Sequence, residues 1–163
     1  MSDPTALPNF PPPPDEHPLR GRVLDALIDA GLAPNVDGDG DVAFTVQDQQ
    51  IFVRCTEGDV QIMRVFGQWA ISDAVPRDPL TRLSTSNEIS LQMNCVKAGL
   101  ANDTLVVTSE HVVTPGSDVP VLVNVSIQLV LAAVQLWHER IMGGEGGPTG
   151  PGAGQPAPDG DPV

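Results

Sequence analysis

Few residues in this chain have both the type and the spacing that chemistry requires. The densest run of metal-type ligands is Asn35, Asp37 and Asp39, followed by Gly40. A helix-loop-helix calcium loop needs oxygen ligands at positions 1, 3 and 5, glycine at 6 and a bidentate Glu at 12. Counting from Asn35 puts Val46 where that Glu belongs, and counting from Asp37 puts Val42 where the glycine belongs. The run therefore reads as a solvated loop between a helix and a strand. His17, His111 and His138 are scattered, with no second His or Cys at zinc spacing. Ser109, Glu110 and His111 are consecutive, but on a strand Ser109 and His111 face one way and Glu110 the other, which defeats a triad made of the three. Cys55 and Cys95 form no CxxC pair and read as small buried hydrophobes. No Gly-x-Ser-x-Gly turn, Walker A loop or dinucleotide fingerprint follows a strand. The expectation is a non-enzyme with no cofactor and no metal site.

Charge narrows the partners. The 163 residues carry 21 acids against 8 bases, a formal charge of −13, and every base lies between Arg20 and Arg140. Nucleic acid and anionic membranes call for a basic patch, so neither is expected as a partner. No basic start leads into an apolar stretch, which predicts a cytoplasmic protein. For the same reason Asn102-Asp103-Thr104, a glycosylation triplet on a turn, reads as accidental.

The elements that would position such residues fall between two compositionally biased tails. Residues 1–16 and 143–163 are rich in Pro and Gly and poor in apolar side chains, too poor to offset the entropy of ordering. Pro11 to Pro14 favour polyproline II, most simply a stiff spacer. The domain is expected at 17–142. Asp15 or Glu16 would cap a first helix with Pro18 in its first turn and Leu19, Val23, Ala26, Leu27 and Ala30 at helical spacing, ended by Gly31. Ala33 to Gly40 is turn chemistry. Three strands follow, at Val42 to Val46, Ile51 to Cys55 and Val60 to Ile71, joined by links short enough to require antiparallel hairpins. Leu80 to Glu88 predicts a short helix frayed by Ser84, Thr85 and Ser86, and Leu91 to Lys97 with Thr104 to Val113 a second hairpin turning at Gly99 to Asp103.

The last element is the longest apolar segment, Val119 to Met142, with Asp118 or Ser117 as N-cap and Pro120 in its first turn. At 100° per residue Asn124, Gln128, Gln135 and Glu139 share one narrow sector with His138 beside them, and apolar residues fill the rest. Such a helix buries more than one surface. Its repeated polar interruptions weigh against a membrane span. The predicted class is α+β, an antiparallel meander with helices packed on it, in the order α-β-β-β-α-β-β-α.

Particular residues add a resemblance. Asp39 to Arg54, Val65 to Trp69, the Asn87-Glu88-Ile89-Ser90 turn, Lys97 and the closing helix are together similar to the bacterial YbjN family, whose fold is akin to the type III secretion chaperones. The likeness spans nearly all of 17–142 and neither tail, and Ser90 stands where the family pattern often has a second Asn. It implies a non-enzymatic, dimeric protein that binds extended segments of a partner, or a stress-response regulator. The alternative function is a sensory regulatory domain that holds a small ligand. The surfaces expected to meet a partner are the first strand, through Val42, Phe44 and Val46, and the closing helix, through Leu131 and Trp137. Val42 to Val46 is the expected open edge, and Leu131 interrupts the polar stripe of the helix. Trp69 and Trp137 read as core anchors.

Overall fold

The computed structural model describes residues 18–143. Nine elements follow one another: α1 (Leu19–Asp29), β1 (Asn35–Val36), β2 (Val42–Val46), β3 (Gln49–Thr56), β4 (Gln61–Ala70), α2 (Pro79–Gln92), β5 (Val96–Ala101), β6 (Thr104–Val113) and α3 (Val119–Gly143). The strands form one antiparallel sheet in the order β1-β2-β3-β4-β6-β5. This is the expected α+β class, with one strand more than the sequence predicts. The two tails, and with them Asp15, Glu16, His17 and Pro11 to Pro14, lie outside the described residues.

Local chemistry accounts for the element ends. Gly31, at φ +79°, closes α1 in a Schellman arrangement: Leu32 N donates to Leu27 O at 3.0 Å and Gly31 N to Ile28 O at 2.9 Å. The β2–β3 link is a two-residue turn with Gln47 and Asp48 both at positive φ (50° and 61°), the mirror-image geometry that matches strand twist. Asp78 caps α2, accepting from Thr81 N at 2.8 Å and Thr81 Oγ1 at 2.7 Å, with Pro79 next in the first turn. Those hydrogen bonds hold its carboxyl below the usual range. Asp118 caps α3 through Val121 N at 3.1 Å, while Ser117 Oγ accepts from Thr114 N at 2.9 Å.

Four expectations need correction. The loop at 33–40 contains β1, which pairs Val36 with Val42 and Asn35 with Ala43 and so covers half of β2. The middle helix runs to Gln92 and does not fray at its serines. Thr85, Ser86 and Ser90 donate their hydroxyl protons to carbonyls four residues back, at 2.9, 3.0 and 3.1 Å, so they fit the helix interior. Leu91 is accordingly helical, and the fifth strand begins at Val96, after Cys95 takes a positive φ of 60°. Cys95 is exposed, not buried; Cys55 is half-buried, and burial, with Glu57 nearby, pushes its thiol up to about 11.

All three helices lie on the sheet face that carries Val42, Phe44, Ile51, Val53, Met63 and Val65. α3 crosses the sheet over β4, β5 and β6 with α1 on one flank and α2 on the other, so its second buried surface is the other two helices. By length and composition alone it would also pass for a bilayer span, with a mean hydropathy of 2.0. Here it is the central core helix, with Val123, Ile127, Val130, Trp137 and Ile141 buried. On the opposite face Phe52 and Phe66 stack at 5.3 Å, and the Arg54 guanidinium lies 5.5 Å from the Phe66 ring. Arg54 also grips the buried Asp41 carboxylate with two hydrogen bonds, at 2.9 and 2.6 Å. Glu110 pairs there with both Arg64 and Lys97, whose donated bonds lower its pKa.

Candidate functional site

A cleft of about 530 Å³ lies at one end of the sheet, beneath the C-terminal half of α3. Strand parity and helix spacing build it. Trp69, near the end of β4, and Leu105, at the start of β6, are register partners on the helix-facing side and form part of its floor. Leu131, Val134 and Trp137 descend from α3 at helical spacing, and Val75 closes the loop side. The rim is polar: Gln47 and Gln49 flank the hairpin tip, and Gln135, His138 and Glu139 come from the wet stripe of the helix.

Both indoles are fixed. The Trp137 ring is 2% exposed and its Nε1 donates to Ser86 Oγ at 3.0 Å. The half-buried Trp69 ring lies flat across Gly67, where an added Cβ would sit 2.7 Å from Cζ2, 2.8 Å from Cζ3 and closer still to Cη2. Its Nε1 donates to Gln49 Oε1 at 2.6 Å, tying the ring to the hairpin. Glycine two residues before a tryptophan on a strand puts both on one face. That spacing is the signal in the sequence for this ring position.

Of the five residues expected to meet a partner, Leu131 and Trp137 come together in this cleft, as wall and floor, and both are nearly buried. Val42 and Phe44 turn their side chains into the core, at 0% and 2% exposure. What β2 offers outward is therefore its backbone, over Phe44 to Val46, because β1 occupies the edge at Val42 and Ala43. Val46, half-buried, lines a smaller cavity of about 160 Å³ between α1 and α3. The edge and the cleft meet at the turn between Val46 and Gln49.

The other edge of the sheet is clasped at its middle. Ser90 Oγ of α2 accepts from Ala98 N at 2.9 Å while its own proton goes to Ser86 O, so a helix side chain takes up the outward amide at the middle of β5. Ser90 was visible in the sequence only as one letter of a turn.

The chemistry-bearing residues are placed as follows. Asp37 Oδ1 accepts from the backbone N of Asp39 and Asp41, at 2.9 and 3.0 Å, folding its own loop. Ser109 and His111 do share a face, 3.4 Å apart, with Ser109 also 3.4 Å from the buried Ser126 hydroxyl, and Glu110 points to the other side. His138 lies on the cleft rim beside Glu139.

Helices laid on one face of an antiparallel sheet, with an apolar cleft at its end, define an α+β domain. Among solved structures the chain is similar to YbjN from E. coli, described as a proposed transcription regulator, with a TM-score of 0.51 at 14% identity over 74% of this chain and 90% of that one. It is equally similar to an uncharacterised protein from Methanothermobacter thermautotrophicus, with a TM-score of 0.51 at 13% identity over 76% and 99%. The YbjN-like fold read from the sequence is borne out. No protein-family model and no curated protein matches the sequence.

Proposed function

We propose that this protein is a cytoplasmic, non-enzymatic binding module, dimeric as the YbjN likeness implies, that holds an extended segment of a partner protein. The segment adds to the free edge of β2 at Phe44 to Val46 and drops a side chain into the cleft past the Gln47–Gln49 turn. One observation carries this reading: a strand edge with no partner among the described residues runs directly to the mouth of an apolar cleft. Backbone pairing supplies affinity in such a mode and pockets for alternate side chains supply specificity. Leu131 and Trp137 act as pocket walls in this scheme, and Val42 and Phe44 hold the strand in place from behind.

The test is selection of displayed random peptides against the full chain, followed by hydrogen exchange with an enriched peptide bound. Slowed exchange is expected at the outward amides between Phe44 and Val46. Val134→Glu, at a half-buried wall position, is expected to abolish capture with a normal melting transition. Enriched peptides that protect neither the edge nor the cleft would sink the reading.

A second reading rests on the cleft volume, which falls within the range of about 300–1,000 Å³ typical of small-molecule sites. A regulatory domain with a small ligand there would quench or shift Trp69 fluorescence with no protection along β2.

A further inference from the structure

The cleft also carries a charge preference, an inference that rests on the protein-binding reading above. Its floor is apolar, and the charged side chain on its rim is Glu139. That carboxylate is exposed, accepts a hydrogen bond from Gln135 Nε2 at 2.9 Å, and has no ion pair among the described residues. Asp48 stands exposed at the hairpin tip between the two lining glutamines. Among the described residues no Lys or Arg lines the cleft. The arginines of the adjoining pocket past Ile71 are already engaged, Arg77 by Asp73 at 2.8 Å and Arg82 by Asp103 at 3.2 Å. Arg82 is further committed to the backbone carbonyl of Pro76 at 2.7 Å.

An acidic segment approaching this mouth meets uncompensated negative charge from Glu139 and from a chain of net −13. A basic segment meets a carboxylate with a free oxygen and a steering field of the right sign. We propose that the cleft selects an extended segment bearing one large apolar side chain with a Lys or Arg close to it in sequence. The apolar residue fills the space over Trp69 and Leu131, and the cation pairs with Glu139 at the rim.

The experiment is the display selection read for sequence, with an enriched peptide then titrated by fluorescence anisotropy against the full-length protein, Glu139→Gln and Glu139→Lys at two salt concentrations. The expected result is an apolar residue with a nearby Lys or Arg. Affinity should fall about threefold to fivefold in Glu139→Gln, as for an exposed ion pair, fall further in Glu139→Lys, and weaken with salt. Enrichment of neutral or acidic peptides, or equal affinity for wild type and Glu139→Gln, overturns the charge preference and leaves protein binding standing. Failure to enrich any peptide takes the protein-binding reading down with it. Because Glu139 is exposed, both variants should keep the wild-type melting transition, and circular dichroism checks this.

Discussion

Replacing Gly67 with alanine tests the most specific packing in the cleft. In a central strand this substitution ordinarily helps a little, since glycine weakens a strand interior. Here the new methyl would stand 2.7 to 2.8 Å from two indole carbons of Trp69 and nearer to a third, so the ring must leave its place. Leaving forfeits the hydrogen bond to Gln49, worth about 1 kcal/mol net, and the packing of the ring on β4. Overpacking of this kind costs about 1–3 kcal/mol. The expected loss is about 2 kcal/mol, or roughly 8 °C in Tm for a domain of this size. The assay is a double-mutant cycle in urea with Trp69→Ala as the second substitution. Without the ring, Gly67→Ala is expected to be neutral or stabilising by about 0.5 kcal/mol, giving a coupling near 2 kcal/mol. Trp69 fluorescence in the single variant should shift to the red as the ring enters water. Equal cost in both backgrounds would refute the placement of Trp69 over Gly67.

Two other expectations are simpler to check. Ser90→Ala removes the acceptor of Ala98 N, so urea denaturation should show a loss of about 1–2 kcal/mol, and light scattering should show self-association through the uncovered β5 edge; unchanged midpoint and mass would contradict the capping role. Glu110→Gln should lower stability at pH 7 by up to about 1 kcal/mol, less in high salt. The folded pKa of Glu110 lies below its ordinary value of 4.5, so its stabilisation is full above that pH and is lost as pH falls through the folded value. The gap between variant and wild type in a pH series of urea melts should therefore close below about pH 4.5, and a gap that persists there would show that the charge pairs with Arg64 and Lys97 are not its source.

Much of the fold was legible because its signals are local. Hairpin length set the pairing of β2, β3 and β4, and Asp118 with Pro120 marked the start of α3. What stayed hidden depends on contacts distant in sequence. β1 has two exposed residues and no side-chain pattern, and it exists only because β2 lies beside it. The serines of α2 look like helix breakers until their hydroxyls are seen to bond backward along the helix. Val42 and Phe44 were apolar for the sake of the helix-facing side, and alternation cannot tell a strand's buried face from its open edge. The candidate cleft was half visible. Leu131 and Trp137 were singled out on α3, but the sheet end that completes the cleft with them, through Trp69, Leu105 and the glutamines at the hairpin tip, comes from three strands whose order a single sequence does not state.

The Ser90 clasp on β5 sets a rule for how copies of this chain can meet. A sheet with two free edges can grow head to tail, one copy's first edge on the next copy's last, and such a contact propagates without end. Because Ser90 already holds the outward Ala98 amide, a strand laid on β5 would have to displace it, which favours the β2 side for edge pairing between copies. A surface that pairs with itself closes at two. A clasp on one edge thus favours pairs over filaments wherever copies pair by their strands, and it acts from within a single chain.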